Sequence, residues 1–336
     1  MTLLRNRPAR VDLGPTAALS RRGLLAGGLG LAGAVILAGC GDGDEPAGSA
    51  SQAPTEREVR TDKGPVTVPG KASKVVTADY YGAFAVVDLG LVPVGVSGGG
   101  YDATGPSYAP KLASVPLIGD WTEPDVEKIA AAGPDLIIRT IDTPDALYQQ
   151  LSQIAPTVVI SFQQLLLPEV ATRIGEVLGR TAEAEQLLET YRTRTAEVKR
   201  KHAAVLGKYT FTFVQQASDT TFWVMGPKWT DVTVLLDSGV QLAEPAKSQA
   251  EPTAEVSMEK IGDLDSAGVL LVPAGPDGKT LDPANEALVG KPLWKQLGAV
   301  KANRVFPIVY GAASLGTGLE LVTRMDTVLT ELSSAS

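Results

Sequence analysis

The sequence has very little of the two side chains that most often build cross-links and metal sites. Cys40 is the only cysteine and His202 is the only histidine in 336 residues. A single cysteine excludes an intramolecular disulfide framework, and a single histidine excludes a metal site made of several histidines. We therefore expect no metal site and no resident cofactor, and a metal bound here would bring most of its own ligands.

Positive charge and aromatic side chains are also scarce. The formal net charge is −8, with 30 Lys and Arg against 38 Asp and Glu. Nucleic-acid binding needs a basic face, so this balance argues against it. Aromatic residues make up only 5% of the chain, which makes the positions of the four tryptophans informative. The length allows two domains, and the 44% hydrophobic content can fill their cores.

The sequence contains one long apolar run, which lies near the N-terminus. The pair Arg21 and Arg22 precedes GLLAGGLGLAGAVILA, which ends in LAGC at Cys40. These features indicate an export signal of the twin-arginine type over 1–39. About 16 residues at about 1.5 Å each fall short of a bilayer core of about 30 Å, so a transmembrane helix is excluded. LAGC resembles a bacterial lipobox, which implies cleavage before Cys40 and lipidation of its thiol.

Two segments of different composition follow the lipobox. Residues 40–57 are rich in Gly, Ser, Ala and Pro and predict a flexible tether. The next run, EVRTDKGPVTVP, predicts a small β-hairpin around its DKG turn. The expected mature protein is extracytoplasmic, monomeric and held to the outer face of the cell membrane by its lipid.

From Lys74 onwards, short apolar strands alternate with helices. Such alternation with short turns predicts an α/β fold with mainly parallel sheets. An apolar helical stripe of about 25 residues starts at Thr181 and interrupts the alternation. We therefore predict an N-terminal lobe over 58–165, a helical linker over 166–206 that includes one long inter-lobe helix, and a C-terminal lobe over 207–336. His202 continues the spacing of the helix and is predicted to be an amphipathic edge residue.

Aromatic residues gather where the predicted strands end. In open parallel sheets, ligands bind outside the carboxyl ends of the strands. Three of the four tryptophans fall at such ends, and aromatic walls suit a bulky, partly apolar ligand. Capping of the core is the alternative role for any single one of them. The predicted ligand-binding residues are Tyr80, Tyr81, Tyr101, Trp121, Arg139, Trp223, Met225, Trp229 and Tyr310.

A GxSxG motif at Ser97 raises a hydrolase alternative. A nucleophile elbow needs a helix directly after the serine, and the sequence continues with GGGYDATGP instead. The only histidine lies on the predicted linker. We therefore predict that the protein is not an enzyme, with a serine hydrolase at Ser97 as the alternative from another class.

Two distant stretches share one pattern. PDVEKIAAAGPDLII and VSMEKIGDLDSAGVLLV each have a polar residue, then Glu-Lys-Ile, a short helical run and an apolar strand. The polar residues Asp125 and Ser257 are predicted caps, so Glu127 and Glu259 lie in the first helical turns. A first-turn glutamate can simply favour the helix dipole. Its repetition on either side of the long helix predicts two equivalent lobes.

Several segments together resemble the substrate-binding lipoproteins of ABC importers for ferric siderophores, haem and cobalamin. They are KVVTADYYGAFAVVDLGLVPVGV, GDWTEPDVEKIAAAGPDLII, YQQLSQIAPTVV, LLDSGV, VSMEKI and PLWKQLGAVKANRVFPI, and the resemblance extends over 58–335. It implies the class III periplasmic-binding-protein fold, with two α/β lobes joined by a long helix and a ligand in the cleft. It also implies delivery to a permease dimer, whose arginines would contact Glu127 and Glu259.

The sequence also favours one kind of ligand. A ferric siderophore fills the iron's coordination sphere itself, whereas haem would need a tyrosine or Met225, because His202 lies on the linker. Arg139 is the only cation among the predicted cleft residues, against several aspartates. Strongly anionic catecholates would need several cations, so a ferric hydroxamate is expected. Haem and cobalamin are the alternatives within the same importer class.

Overall fold

The computed structural model describes residues 55–98, 107–163, 165–275, 277–309 and 311–334. The predicted export signal, Cys40 and most of the predicted tether lie outside these ranges, as do Tyr101 and Tyr310. None of the helices within the ranges combines the length and the apolarity that crossing a membrane requires.

A small hairpin precedes the two sheets, as the sequence predicts. Strand β1 (Glu56–Thr61) pairs antiparallel with β2 (Gly64–Pro69). The hairpin is joined to the first sheet by its turn, because Asp62 N donates to Val159 O at 2.8 Å.

The first lobe is built on a five-stranded parallel sheet. Its strands are β3 (Val75–Thr77), β4 (Gly95–Gly98), β5 (Leu117–Asp120), β6 (Leu136–Arg139) and β7 (Thr157–Val159). Their order in the sheet is β5-β4-β3-β6-β7, and every neighbouring pair is parallel. All residues of β3 and β6 are buried, as expected for inner strands of a sheet covered on both faces.

The second lobe repeats this order with one strand reversed. Its strands are β8 (Phe211–Gln216), β9 (Thr221–Met225), β10 (Thr253–Ser257), β11 (Val269–Pro273) and β12 (Val305–Ile308). They lie in the order β10-β9-β8-β11-β12. Strand β9 is antiparallel to both neighbours, whereas β11 is parallel to β8 and β12. Counted along the chain, the strand order is therefore the same in the two lobes.

Helices connect the strands in both lobes. In the first lobe they are α1 (Tyr80–Asp88), α2 (Ala109–Leu112), α3 (Val126–Ala132) and α4 (Asp145–Ser152). The linker contributes α5 (Leu167–Leu178), α6 (Thr181–Lys201) and α7 (Ala203–Lys208). The second lobe has α8 (Thr230–Asp237), α9 (Glu286–Val289), α10 (Gly298–Lys301) and α11 (Leu315–Ser334), with short 3₁₀ segments at Met258–Ser266, Pro283–Asn285 and Trp294–Gln296. The predicted fold of two mainly parallel α/β lobes joined by a long helix is confirmed.

The linker helix differs from its prediction at one residue. The predicted run of about 25 residues divides into α6, with 21 residues, and the short α7. His202 lies at the break, with a backbone φ of −108° and ψ of 21°. Its prediction as an edge residue is wrong, because the side chain is buried and its Nε2 lies 2.7 Å from Asp326 Oδ1 on α11. A buried ring needs such a partner, and this contact joins the linker to the second lobe.

The lobes are also joined at a second place. Asp88, the last residue of α1, accepts hydrogen bonds from the Tyr108 hydroxyl at 2.5 Å and from Gly316 N at 2.8 Å. Gly316 belongs to the first turn of α11, in the second lobe. Burial raises the pKa of Asp88, and the hydrogen bonds from Tyr108, Ser314 and Gly316 lower it in part.

Candidate ligand-binding site

Three of the predicted aromatic residues meet beside the start of α1. The Asp79 side chain caps this helix by accepting from Gly82 N at 2.6 Å, which places Tyr80 and Tyr81 in its first turn. Their ring centroids are 3.9 Å apart. The Trp121 ring stands edge-on to both, at 6.2 Å and 6.3 Å. The sequence pattern of strand ends thus identified an aromatic cluster.

A cavity opens next to this cluster and takes its walls from both lobes. Its volume is about 570 Å³, within the range of small-molecule sites. Tyr81 and Trp229 are the predicted residues that line it. The described lining residues are Tyr81, Phe162, Gln163, Leu165, Leu166, Glu169, Pro227, Lys228, Trp229, Thr230, Asp231, Thr233, Pro252, Gly311 and Ala312.

One apolar wall of the cavity is absent from the sequence prediction. Phe162, Leu165 and Leu166 form it, between the end of β7 and the start of α5. Phe162 packs against Tyr81 with ring centroids 4.8 Å apart. The signal was present, because Phe162 follows a parallel strand and the strand-end rule applies to it as it does to Tyr81.

Arg139 lies inside the first lobe rather than on the cavity surface. It is only 2% exposed, and its guanidinium donates to Ala78 O at 2.6 Å and to Thr143 Oγ1 at 2.9 Å. Burial lowers the pKa of Arg139, while the nearby Asp79 carboxylate raises it. This guanidinium therefore joins the residue after β3 to the segment after β6.

The two predicted residues on β9 are also not part of the cavity lining. Met225 is buried in the core of the second lobe. Trp223 is 36% exposed and lies across from Gln215 and Glu255 on the neighbouring strands. Because β9 runs antiparallel, its carboxyl end is at the opposite edge from that of β8. The strand-end rule holds for parallel strands only, so it does not apply to these two side chains.

Few ionisable groups face the cavity. Its described lining contains one cation, Lys228, and two carboxylates, Glu169 and Asp231. Asp231 is 1% exposed, and burial raises the pKa of Asp231 to about 6. Among the described residues, no group of three or more Cys, His, Asp or Glu side chains could hold a metal ion. The site can therefore hold a bulky, largely apolar molecule of low charge.

Ser97 has a different environment from a hydrolase nucleophile. It lies within β4 and is fully buried, whereas a nucleophile elbow exposes its serine on a strand-to-helix turn.

The two repeated glutamates occupy equivalent places in the lobes. Glu127 is exposed in the first turn of α3, which leads from the third to the fourth strand of the first sheet. Glu259 is exposed at the start of the segment that makes the same connection in the second sheet. Asp125 and Ser257 cap the two segments, as predicted. The second segment is a 3₁₀ helix, which agrees with the short helical run that the sequence predicts.

Comparison with known proteins agrees with this architecture. Residues 75–308 match the sequence pattern of the family described as periplasmic binding protein. The match covers most of the chain, and the chain belongs to this family. It is 29% identical over 283 residues to the iron(3+)-hydroxamate-binding protein FhuD of Bacillus subtilis, covering 80% of this chain and 85% of that protein. It is 26% identical over 280 residues to the Fe(3+)-citrate-binding protein YfmC of the same organism, covering 81% and 84%.

One solved structure is similar to the chain in both fold and sequence. It is the siderophore periplasmic binding protein from the fuscachelin gene cluster of Thermobifida fusca, with a TM-score of 0.67 and 26% identity. The similarity covers 79% of this chain and 98% of that one.

Proposed function

We propose that the protein captures a ferric siderophore, of the hydroxamate type, in the cavity between its lobes and delivers it to the permease of an ABC importer. The cavity is the main support for this proposal, because it combines a volume of about 570 Å³ with walls of aromatic and leucine side chains and a single cation in its described lining. The names of the relatives support iron chelates as the ligand class. Binding proceeds without chemistry, and the buried position of Ser97 supports this.

The charge of the cavity favours hydroxamates over more anionic chelates. Ferric catecholates and ferric citrate carry negative charge that needs Arg or Lys partners. Lys228 is the only such residue in the described lining, and Arg139 already donates within the first lobe. A neutral ferric hydroxamate needs no such partner. For haem, the described lining offers neither histidine nor methionine, so Tyr81 would be the axial candidate.

Tryptophan fluorescence tests the ligand class directly. We expect saturable quenching by ferrichrome, a neutral ferric hydroxamate, with an affinity at least about tenfold tighter than for ferric enterobactin, ferric citrate, haem or cobalamin. Trp229→Phe should remove most of the quenching, because Trp229 lines the cavity. Trp223→Phe is the matched control and should retain it. Tightest binding of a catecholate, haem or cobalamin would overturn the hydroxamate proposal.

We also propose that a lipid on Cys40 anchors the protein outside the cell membrane. The support is the twin-arginine pair, the short apolar run and the LAGC ending. In a bacterial host that lipidates proteins, Cys40→Ala should move the protein from the membrane fraction to the soluble fraction. Retention of the variant in the membrane fraction would contradict the anchor.

Contact with the permease is proposed for Glu127 and Glu259. Both are exposed and lie in a first helical turn. The helical segments that carry them connect the third and fourth strands of their sheets. The paired arrangement suits a permease dimer, which presents two equivalent surfaces.

A further inference from the structure

Each lobe fixes the start of a cavity helix with a buried aspartate. In the first lobe, Asp79 accepts from Gly82 N in α1 and, at 2.7 Å, from Thr140 N after β6. It thereby joins the helix that carries Tyr81 to a different strand of the sheet. Burial raises the pKa of Asp79, and the hydrogen bonds from Thr140 and Gly82 and the nearby Arg139 lower it in part.

The second lobe makes the corresponding connection with Asp231. This residue is the second of α8, and its Oδ1 accepts from Gly311 N at 2.8 Å and from Ala312 N at 3.1 Å. Gly311 and Ala312 follow β12. One carboxylate oxygen therefore joins two segments that are about 80 residues apart in the chain.

Both joined segments form the wall of the cavity. Residues 227–231 line it on one side of the carboxylate, and Gly311 and Ala312 line it on the other. The carboxylate is buried between them. The two hydrogen bonds to Asp231 therefore help to hold these two parts of the wall at their separation.

We propose that Asp231 is a positioning residue that keeps the second-lobe wall in its ligand-accepting shape, and that its protonation weakens ligand binding. The inference rests on the proposed function of the cavity. Hydrogen bonds to an ionised acceptor are roughly twice as strong as those to a neutral one. Protonation of Oδ2 leaves Oδ1 as a neutral acceptor, so the Gly311–Ala312 turn is held less firmly.

The surroundings of Asp231 determine the direction of the pH effect. Burial raises the pKa of Asp231 to about 6, and the backbone N–H groups of Ala312 and Gly311 lower it only in part. The other charged groups of the described lining are Lys228, from the loop before α8, and Glu169, from α5. Above about pH 6 the carboxylate is ionised and the wall is held. Ligand affinity should therefore fall as the pH drops through this value.

Hydrogen exchange tests the positioning without any ligand. In the full chain at pH 7.5, we expect slow exchange of the Gly311 and Ala312 amides. Asp231→Ala should make both exchange fast, and Asp231→Asn should give an intermediate rate, because its Oδ1 is a neutral acceptor. Asp263→Asn, a change at an exposed carboxylate, is the control and should match the unmodified protein. Unchanged protection in Asp231→Ala would overturn the proposal.

Ferrichrome binding at two pH values tests whether protonation of Asp231 weakens ligand binding. The unmodified protein should bind about tenfold more weakly at pH 5.0 than at pH 7.5. Asp231→Asn should bind equally at both, at the level of the unmodified protein at pH 5.0, whereas Asp263→Asn should keep the pH dependence. Asp231→Ala should bind more weakly than Asp231→Asn.

The possible results distinguish a failure of the positioning role of Asp231 from a failure of the proposed siderophore capture. If Asp231→Asn keeps both the affinity and the pH dependence of the unmodified protein, the positioning role is overturned while siderophore capture stands. If the unmodified protein binds no ferric chelate at pH 7.5, the proposed function is overturned and this inference with it. Should Asp231→Ala fail to fold, the Asp231→Asn variant decides between these results.

Discussion

At the scale of single residues, a glycine in α11 meets a carboxylate of the other lobe. Gly316 donates its N–H to Asp88, which also accepts from the Tyr108 hydroxyl. A Cβ at position 316 would lie 2.1 Å from both Asp88 Oδ1 and the Tyr108 oxygen. Any larger residue must therefore displace two hydrogen-bonded side chains that connect the lobes.

We predict that Gly316→Ala lowers the free energy of unfolding by about 2 kcal/mol. The reason is the disruption of two hydrogen bonds to the half-buried Asp88 carboxyl group, since hydrogen bonds to a carboxylate are worth about 1.5–3 kcal/mol. Urea unfolding followed by circular dichroism measures the change.

Gly207→Ala is the matched control for this substitution. Nothing lies within 4 Å of a Cβ at position 207, which is inside α7. Helix propensity predicts no loss, or a gain of up to about 1 kcal/mol. Equal stability of the two variants would contradict the importance of the contact at Gly316.

Residue positions could be predicted from the sequence better than side-chain surroundings. Tyr81 and Trp229 were predicted from strand ends, and both line the cavity. Arg139 and Met225 follow the same pattern but point into cores. Spacing places a residue at the end of a strand, whereas its direction depends on partners such as Ala78 and Thr143 that only the folded chain brings together.

At the scale of elements, the Arg57 side chain attaches the hairpin to the linker. Arg57 of β1 donates to Glu176 O at 2.9 Å, to Val177 O at 2.5 Å, and to Gly70 O. The first two are carbonyls of the last turn of α5, where i+4 donors are missing, and Glu176 O also accepts from Gly179 N at 3.2 Å. The hairpin thus stabilises the end of α5, the helix that follows the apolar wall of the cavity.

Arg57→Ala should destabilise the protein by about 2 kcal/mol, because it removes three hydrogen bonds from one guanidinium to backbone carbonyls. Arg60→Ala, which removes an exposed arginine from the same strand, should change stability by less than about 0.5 kcal/mol. Thermal unfolding of the two variants compares them directly. A similar loss in both would indicate a general effect of charge rather than the specific contact of Arg57.

Strand β9 shows why element types are easier to predict than directions. Its apolar pattern correctly predicted a strand. Only four residues separate it from β8, a loop short enough for a hairpin and too short for a parallel crossover. That spacing contained the signal for reversal, but the alternating pattern of the rest of the chain favoured a parallel arrangement.

At the scale of the whole molecule, the two sheets share one strand order although their sequences differ. This shared order places Glu127 and Glu259 at matching connections. The repeated Glu-Lys-Ile motif was sufficient to predict this equivalence. The cavity could not be predicted to the same degree, because its walls come from segments as distant in sequence as Tyr81 and Ala312.

We predict that Glu127→Lys combined with Glu259→Lys abolishes iron-siderophore uptake and leaves ferrichrome affinity unchanged. Neither residue lines the cavity, whereas reversal of both charges would repel arginines on a permease. Uptake of radioactive iron by cells and fluorescence titration of the purified protein measure the two properties.

Glu123→Lys combined with Glu255→Lys is the control, because it reverses two other exposed glutamates, one in each lobe. Uptake should remain normal in this variant. A parallel loss of affinity and uptake in the first pair would refute a docking role.

The long helix α6 has a consequence for how the protein distinguishes ligands. It packs against α5, α8 and α11, while Asp88 connects the lobes at a second place. Because the lobes are attached at two places, we expect the width of the opening between them to change little when a ligand binds. We then expect the protein to select chelates by their width as well as by their iron-binding groups, and affinities for a series of trihydroxamates with stepwise longer spacers would measure this selection.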